Sequence, residues 1–380
     1  MSMEKNIDKI KLIFQNKGFK YKDRLGNGGY GDIYIFENNK RDYAIKIQMS
    51  SDQKKKEKIK NECIFSKSLN GNNLVKTYVI YQDKLNSNEI IFSMVMEKTL
   101  YMDMKYFFDY LLNGNLIRVT INNIYFPWLY LLNKNTIIYF VNQIFEGLKI
   151  LYECNCVHRD IKAENILIAY LFIVKICDFG ITSKGKPNFK LESSTWCYQG
   201  PEYYMNDNII ERYEDCFKLD YFSVGLIIYH LLFRKNVIPR DLKNTINLSI
   251  LKECLNEANE NIKKHEYNEE TMKKREEEEK YLYYNKEDEI MKFDERKKVK
   301  DSEIKIQFID KGIGELTRSL IKENISDRPN IFEILENESL NKNKKRIKKI
   351  YDINQFLEIK LFIEFQKPII HRIHKKKYQI

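Results

Sequence analysis

A glycine-rich run near the start of the chain is the first feature that could bind phosphate groups. Residues 26–31 read GNGGYG and have the form GxGxxG. Glycines lack a Cβ, so the backbone amides of such a run can approach phosphate oxygens closely. A strand pattern follows the run, whereas a dinucleotide fingerprint is followed by a helix. The run therefore favours a hairpin folded over nucleotide phosphates, with an ordinary glycine-rich turn as the alternative.

A lysine inside an apolar strand pattern could supply a positive charge to the same phosphates. Lys46 follows Ala44 and Ile45, and a lysine that faces inward is uncommon unless it is paired. Glu62, in the helical pattern that comes next, is the expected partner. The alternative is a lysine whose stem covers apolar surface while its amine reaches water.

Three further motifs follow in a fixed order. Residues 158–165 read HRDIKAEN, Asp178-Phe179-Gly180 begins 13 residues after Asn165, and Gly200-Pro201-Glu202 begins 22 residues after Asp178. With these motifs in this order and at these spacings, the chain resembles a eukaryotic protein kinase over about residues 20–340. The resemblance implies transfer of the γ-phosphate of ATP to protein hydroxyls, with Mg²⁺.

The resemblance also implies roles for the matching residues. Asp160 would orient the substrate hydroxyl and accept its proton, and Lys46, paired with Glu62, would hold the α- and β-phosphates. Asn165 and Asp178 would hold Mg²⁺. The residues implied to bind ATP are Gly26, Gly28, Gly31, Ile33, Ala44, Lys46, Met96, Glu97, Thr99 and Leu167.

Several matching residues point to the serine/threonine branch or to the scaffold of the family. Lys162, two residues after Asp160, is implied as a further catalytic residue and is typical of that branch. Thr195 falls where the branch places a threonine that contacts the catalytic loop. Asp220 would brace the backbone of that loop, and Arg328 would pair with Glu202. The residues implied as structural are His158, Arg159, Phe179, Gly180, Glu202, Asp220 and Arg328.

Two departures from the family pattern concern the helix that carries Glu62. Ser66 and Thr77 fall where apolar residues are typical. Polar groups at these positions are expected to loosen that helix. Ala163 and Gly200 replace a frequent Pro and the usual Ala, which are milder changes.

The activation segment, residues 178–202, contains the predicted regulatory residues Ser193, Ser194 and Thr195. Our hypothesis is that Ser193 accepts a phosphate, which adds about −1.5 to −2 charge and can order a loop through arginine. In a second version Glu192 partly substitutes for that phosphate. The alternative is that the serines are exposed loop residues.

Two carboxylates favour a preference for basic substrates. Asp103 and Glu164 fall where kinases that select basic peptides keep acidic residues. Their charge would attract Arg or Lys upstream of the acceptor. The alternative for Asp103 is that it caps a helix.

The element patterns predict an α+β fold, the bilobal protein kinase fold. A small β-rich N-lobe is expected over residues 20–97 and a larger α-helical C-lobe over residues 98–340, with insertions. Residues 1–19 are predicted as a helical extension, because Ile7, Ile10, Ile13 and Phe14 share one helical face.

Three segments look added to the domain. Residues 113–133 are rich in Asn, and residues 256–303 contain 16 acidic and 12 basic residues. The second segment is interpreted as a solvated excursion, with a docking site as the alternative. Residues 341–380 form a basic tail with 12 Lys or Arg and 3 Asp or Glu, out of a net charge of +11 for the chain. The tail could contact acidic partners, nucleic acid or a membrane surface, or pack as a helix on the domain, and no specific nucleic-acid motif accompanies it.

The composition excludes several other classes of protein. Hydrophobic residues make up 43% and charged residues 31% of the 380 residues, which excludes a wholly disordered chain. No apolar run reaches the ~18 residues of a membrane span, and the N-terminus lacks the apolar stretch of a secretory signal. Seven scattered cysteines favour a reducing compartment, hence a cytoplasmic or nuclear location. A monomer is expected.

Two other functions stay open from the sequence. One is a pseudokinase, an ATP-binding scaffold without turnover, and the complete set of Lys46, Asp160, Asn165 and Asp178 argues against it. The other is a binding module that acts through its tail and charged insertion.

Overall fold

A computed structural model of the chain describes residues 6–28, 31–86, 89–99, 103–105, 120–121, 124–125, 134–169, 173–191, 195–205, 209–233, 235–267 and 309–341. The helices are α1 (Ile7–Gln15), α2 (Gln53–Ser68), α3 (Lys134–Glu153), α4 (Lys218–Phe233), α5 (Leu248–His265), α6 (Lys311–Leu320) and α7 (Ile331–Glu336).

The strands are β1 (Lys20–Gly28), β2 (Gly31–Asn38), β3 (Arg41–Ser50), β4 (Thr77–Lys84), β5 (Ile90–Glu97), β6 (Thr120–Ile121), β7 (Ile124–Tyr125), β8 (Cys156–Val157), β9 (Ile166–Ile168), β10 (Val174–Ile176), β11 (Ser183–Lys184), β12 (Phe189–Lys190), β13 (Ile209–Ile210), β14 (Glu266–Tyr267) and β15 (Ile309–Asp310). The described residues group into two compact units. Unit 1 contains residues 6–103 and 165–182, and unit 2 contains residues 104–164 and 183–341.

Unit 1 is built on a five-stranded antiparallel sheet in the order β1-β2-β3-β5-β4. Asn39 and Lys40 join β2 to β3, and both have φ near +50 to +60°. Such positive φ values suit the two-residue turns whose twist matches that of a hairpin. Glu37 and Asn38 still pair with β3, so the turn consists of Asn39 and Lys40 alone.

The N-terminal helix belongs to the core of unit 1. Ile10 and Phe14 are fully buried, and the ring of Phe14 lies 4.8 Å from that of Phe36. Just after the helix, Lys17 forms a 2.8 Å ion pair with Asp83 at the end of β4. The apolar face read from the sequence is therefore the face that packs on the sheet.

Helix α2 is fixed to the sheet along its length. The Asp52 side chain caps its first turn by accepting a hydrogen bond from the backbone N–H of Lys55 at 2.7 Å. Further along, Ile59 and Cys63 pack against β5 residues of the sheet. Near its end, Ser66 Oγ and Thr77 Oγ1 are hydrogen-bonded at 2.7 Å, and both residues are buried. The expected loosening of this helix is not what the structure has, because each hydroxyl satisfies the other.

Unit 2 is mainly helical. The segment Tyr213–Phe233, which ends in α4, is long and apolar enough to cross a membrane, but 89% of its most apolar 18-residue stretch is buried inside the protein. A core helix passes the same length and composition test. Its neighbour α5 continues to His265 and buries Leu251, Leu255, Ala258 and Ile262.

The course of α5 changes the interpretation of the charged insertion. Residues 256–265 were expected to be part of a solvated excursion, but they lie in α5, where Ala258 and Ile262 are buried. Their apolar side chains recur at helical spacing among the charges, which the composition of the segment obscures. Residues 268–308, which include the rest of the insertion after β14, lie outside the described residues, as does the tail from residue 342. Of the segment 113–133, only β6 and β7 are described.

Candidate active site

The glycine-rich run forms the hairpin between β1 and β2. Gly26 pairs with Ile33 and Gly28 with Gly31, while residues 29–30 lie outside the described residues. Gly31 has φ of 134°, and a Cβ there would lie 2.7 Å from the backbone oxygen of Ile47. Only glycine allows this close approach of the hairpin to β3. A hairpin of this kind fits the phosphates of a nucleotide.

Lys46 lies between two carboxylates in unit 1. Its Nζ is 2.7 Å from Glu62 Oε1 and 2.8 Å from Asp178 Oδ1. Burial by itself would lower the pKa of Lys46, but the charges of Asp178 and Glu62 outweigh it and raise the pKa. The contact between Lys46 and Glu62 is the one expected from the sequence, and it keeps the ammonium charged.

Asn165 and Asp178, expected as magnesium ligands, both belong to unit 1. Asn165 is buried, and its backbone oxygen accepts a hydrogen bond from the N–H of Cys177 at 3.0 Å. The Asp178 side chain remains 27% exposed while its Oδ1 binds Lys46. Carboxylate and amide oxygens are the hard ligands that Mg²⁺ prefers, so these residues fit the ion.

The residues after Asp178 contact the helix that carries Glu62. The Phe179 ring meets the Phe65 ring edge to face, with centroids 6.1 Å apart. A Cβ added to Gly180 would lie 3.4 Å from Glu62 Oε2. Phe179 and Gly180 therefore pack on α2.

Three of the residues expected to bind ATP, Ile33, Ala44 and Met96, lie on neighbouring strands of the five-stranded sheet, whereas Leu167 lies in a separate two-stranded sheet of β9 and β10. Ala44 of β3 pairs with Met96 of β5, Ile33 pairs with Lys46, and Leu167 lies in β9. Thr99 is half-buried just after β5. Four of these side chains are apolar, which suits the faces of a purine ring.

The side chain of Glu97 has other partners. Its Oε1 accepts from Lys175 Nζ at 2.9 Å and from the backbone N–H of Lys76 at 2.7 Å. Its own N–H donates to the Lys76 carbonyl. The carboxylate of Glu97 is therefore already engaged by Lys175 and by the backbone of Lys76.

In unit 2, Asp160, Lys162 and Thr195 form a closed hydrogen-bonded triangle. Thr195 Oγ1 donates to Asp160 Oδ1 at 2.5 Å, and Lys162 Nζ donates to Asp160 Oδ2 at 2.6 Å. Lys162 also donates to Thr195 Oγ1 at 2.9 Å. Burial acts to raise the pKa of Asp160, but the donors Lys162 and Thr195 outweigh it, so the pKa is lowered. Asp160 is therefore ionised at neutral pH.

Asp220 holds the backbone of the catalytic loop. Its carboxylate accepts hydrogen bonds from the N–H groups of His158 at 2.7 Å and Arg159 at 2.8 Å. Arg159 has φ of +73°, which is unfavourable for a residue with a Cβ. Full burial raises the pKa of Asp220 above that of an ordinary aspartate. The two N–H groups thus stabilise both the carboxylate and the unusual backbone.

Arg328 and Glu202 form a bidentate pair inside unit 2. Nη1 lies 3.0 Å from Oε1 and Nη2 lies 2.7 Å from Oε2, and both residues are buried. The guanidinium also lies 4.5 Å from the centre of the Phe222 ring. The pair joins residues separated by 126 positions and holds the segment after Thr195.

Three contacts escaped the sequence analysis. Gln48 Nε2 donates to Glu62 Oε2 at 3.1 Å, and Lys105 Nζ lies 2.7 Å from Glu164 Oε1. The third is the bond between Ser66 and Thr77. Gln48 could have been found, because it repeats Lys46 at a spacing of two in an apolar strand. For Lys105 the sequence holds no comparable signal.

Two of the predicted regulatory residues, Ser193 and Ser194, lie outside the described residues, as does Glu192. Thr195 is described, and its hydroxyl is used by Asp160 and Lys162. Arg159 lies close by in unit 2, where its guanidinium stacks 5.5 Å from the Phe189 ring.

Known proteins similar to this chain are protein kinases. The chain is 29% identical to MAP3K epsilon protein kinase 1 of Brassica napus over 55% of this chain and 15% of that protein. It is 28% identical to the serine/threonine-protein kinase shk1/pak1 of Schizosaccharomyces pombe over 55% of this chain and 28% of that protein. It is 26% identical to an Aurora kinase of Saccharomyces cerevisiae over 62% of this chain and 61% of that protein. The chain thus spans less than two thirds of each relative.

A family model covers most of the chain. Residues 19–340 match the model described as the protein kinase domain. The matched range begins just before β1 and ends shortly after α7, so it includes the five-stranded sheet and the helical region. It leaves α1 and the basic tail outside. The chain therefore belongs to the protein kinase domain family.

Proposed function

We propose that this protein is a serine/threonine kinase that transfers the γ-phosphate of ATP, with Mg²⁺, to Ser or Thr hydroxyls of protein substrates. The observation that carries the proposal is the triangle of Asp160, Lys162 and Thr195. It holds an ionised carboxylate between a cation and a hydroxyl. A group held in this way can orient an incoming hydroxyl and accept its proton.

The nucleotide would be held by residues of unit 1. Gly31 keeps the glycine-rich hairpin close to β3, and Lys46, charged because of its two carboxylate neighbours, would hold the α- and β-phosphates. Asn165 and Asp178 would hold Mg²⁺, which neutralises charge on the phosphates when it is bound. Catalysis of this kind depends on positioning and electrostatics, so each charge contributes.

The first experiment measures incorporation of phosphate from Mg²⁺-ATP into the full chain and into a basic Ser/Thr protein. The control is Asp160→Asn, which keeps the shape of the side chain. We expect incorporation by the wild type, on Ser and Thr, and a loss of at least about 10²-fold in the variant. Equal incorporation by both would exclude the proposed role of Asp160. ATP-induced stabilisation without incorporation by either would indicate a pseudokinase scaffold.

We propose further that substrates with Arg or Lys upstream of the acceptor bind through Glu164. Burial acts to raise the pKa of Glu164, but Lys105 outweighs it and lowers the pKa, so the carboxylate is charged. Because Lys105 already pairs with Glu164, a substrate side chain would have to displace it. The preference for basic peptides should therefore be modest.

We propose for regulation that Ser193 accepts a phosphate or that Glu192 partly substitutes for it. By the resemblance to protein kinases, Arg159 is the cation that such a charge would meet. A mass-spectrometric map of fully active enzyme without phosphate between residues 182 and 195 would exclude the first version.

We also propose a reducing cytoplasmic or nuclear location, because all seven cysteines are free thiols.

A further inference from the structure

Gln48 is a polar residue in the interior of unit 1. It lies on β3 two residues after Lys46, so both side chains leave the strand on the same face. Gln48 is 6% exposed and Glu62 is 8% exposed. A buried amide costs free energy unless it forms hydrogen bonds, so Gln48 needs a partner in the interior.

That partner is the second oxygen of Glu62. Lys46 binds Oε1 at 2.7 Å, whereas Gln48 Nε2 donates to Oε2 at 3.1 Å. Two successive inward residues of one strand therefore hold both oxygens of the same carboxylate. With only Lys46, the carboxylate could rotate about its last bond. With both donors, its plane is fixed.

The stem of Gln48 also touches the glycine-rich hairpin. A Cβ placed on Gly31 would lie 2.8 Å from Gln48 Cγ, so the hairpin backbone rests on this side chain. The same side chain thus contacts the hairpin at its stem and Glu62 at its amide. Its Oε1 is buried and has no hydrogen-bond partner among the described residues. Among the described residues, Glu62 is therefore the hydrogen-bond partner that sets the orientation of the Gln48 amide.

We propose that Gln48 is a positioning residue, which fixes the Glu62 carboxylate for Lys46 and couples that ion pair to the glycine-rich hairpin. The role rests on the proposed kinase function, because Lys46 is expected to hold the nucleotide phosphates. Gln48 acts through Glu62 and the hairpin and does not itself touch the reacting atoms.

The test uses two variants of the full chain. Gln48→Met keeps the length of the side chain but removes the donor, and Gln48→Glu keeps the shape but replaces the donor by a carboxylate. We expect Gln48→Met to lower kcat/KM for ATP by about tenfold, the loss of one hydrogen bond to a charged group. Gln48→Glu should cost more at neutral pH, because its charge repels Glu62 and competes for Lys46.

The pH profile separates positioning from a merely structural role. Once protonated, the carboxyl group introduced by Gln48→Glu can donate to Glu62 as the amide does, so the activity of this variant relative to wild type should rise as the pH falls. The groups that face this position are Lys46 on the same strand, Glu62 and Cys63 on α2, and Asp178 beyond them. These groups are also present in the wild type. The ratio of variant activity to wild-type activity therefore reports the effect of residue 48. A purely structural role would change the melting temperature but leave the two profiles parallel.

Ser93→Ala is the matched control. Ser93 is fully buried in β5 of the same sheet, and its hydroxyl has no hydrogen-bond partner among the described residues. Removing it should leave kcat/KM unchanged. Wild-type rates in both Gln48 variants at every pH would overturn the inference while leaving the kinase function intact. If the wild type itself transfers no phosphate, the proposed function fails, and the stabilisation of each variant by ATP still tests Gln48: equal stabilisation would overturn the inference.

Discussion

Ser66 Oγ and Thr77 Oγ1 lie 2.7 Å apart and join the end of α2 to the start of β4. Both residues are buried at positions where the family pattern favours apolar side chains. Because each hydroxyl has the other as its partner, neither is left unsatisfied. The pair therefore fastens the helix that carries Glu62 instead of loosening it.

The Ser66–Thr77 pair predicts a non-additive pattern of stability. Ser66→Ala or Thr77→Val alone leaves one buried hydroxyl without its partner and should lower the free energy of unfolding by about 1–3 kcal/mol. The double variant removes both hydroxyls and should be more stable than the sum of the two losses predicts. Chemical denaturation of the four proteins measures the coupling. Additive losses would mean that the hydroxyls do not interact.

The buried pair of Arg328 and Glu202 predicts a large loss on truncation. Arg328→Leu leaves a buried carboxylate without its cation, and the free energy of unfolding should fall by about 3–5 kcal/mol. The matched control is Arg318→Leu, because Arg318 forms a bidentate pair with Glu266 that is more exposed. That variant should lose about 1 kcal/mol. Equal losses in denaturation experiments would contradict the role of burial.

The donors to Asp160 predict the acid limb of the pH–rate profile. In the native protein Lys162 and Thr195 lower the pKa of Asp160 against the effect of burial, so the ionised form should persist to below the ordinary aspartate range. Thr195→Val removes one donor and raises that pKa. The fall in kcat/KM on acidification should then begin at a higher pH. Thr195→Ser keeps the hydroxyl, so its pH–rate profile should follow that of the wild type. An unshifted profile for Thr195→Val would contradict the role of Thr195 in lowering the pKa of Asp160.

Removal of Lys105 is predicted to increase the preference for peptides with a basic residue upstream of the acceptor. Lys105→Ala frees the Glu164 carboxylate, so the preference for peptides with upstream Arg over Ala should increase by about fivefold, close to 1 kcal/mol. The control is Lys149→Ala, which removes a half-buried lysine paired with Glu153 at 3.8 Å. A peptide array measures both. An unchanged preference in Lys105→Ala would show that Glu164 does not bind the upstream residue of the peptide.

Phe14 predicts that the N-terminal helix stabilises unit 1, although it lies outside the residues matched by the family model. Phe14→Ala removes a fully buried ring from the contact with Phe36 and should cost about 3–5 kcal/mol of unfolding free energy. Leu12→Ala on the same helix is the control, because Leu12 is 58% exposed. Its effect should stay within about 0.5 kcal/mol. Similar effects of both changes in thermal unfolding would contradict the packing.

The family and the N-terminal helix could be predicted without any coordinates. Glycine spacing, the HRDIKAEN motif and Asp178-Phe179-Gly180 were sufficient, because the reaction needs fixed residue types in a fixed order. The helical face formed by Ile7, Ile10 and Phe14 was also predictable, since apolar periodicity reports which face of an element is buried. Identity and order are local properties that one chain can display.

The pairing of polar groups became visible in the folded protein alone. Ser66 and Thr77 are each unfavourable in a core, and their mutual hydrogen bond depends on an approach of α2 to β4 that no spacing encodes. The same holds for Gln48 with Glu62 and for Lys105 with Glu164. It also decided that residues 256–265 continue α5, because burial of Ala258 and Ile262 outweighed the charge of their neighbours. Pairings between distant segments are set by packing, and a single sequence records the residues but not the distances between them.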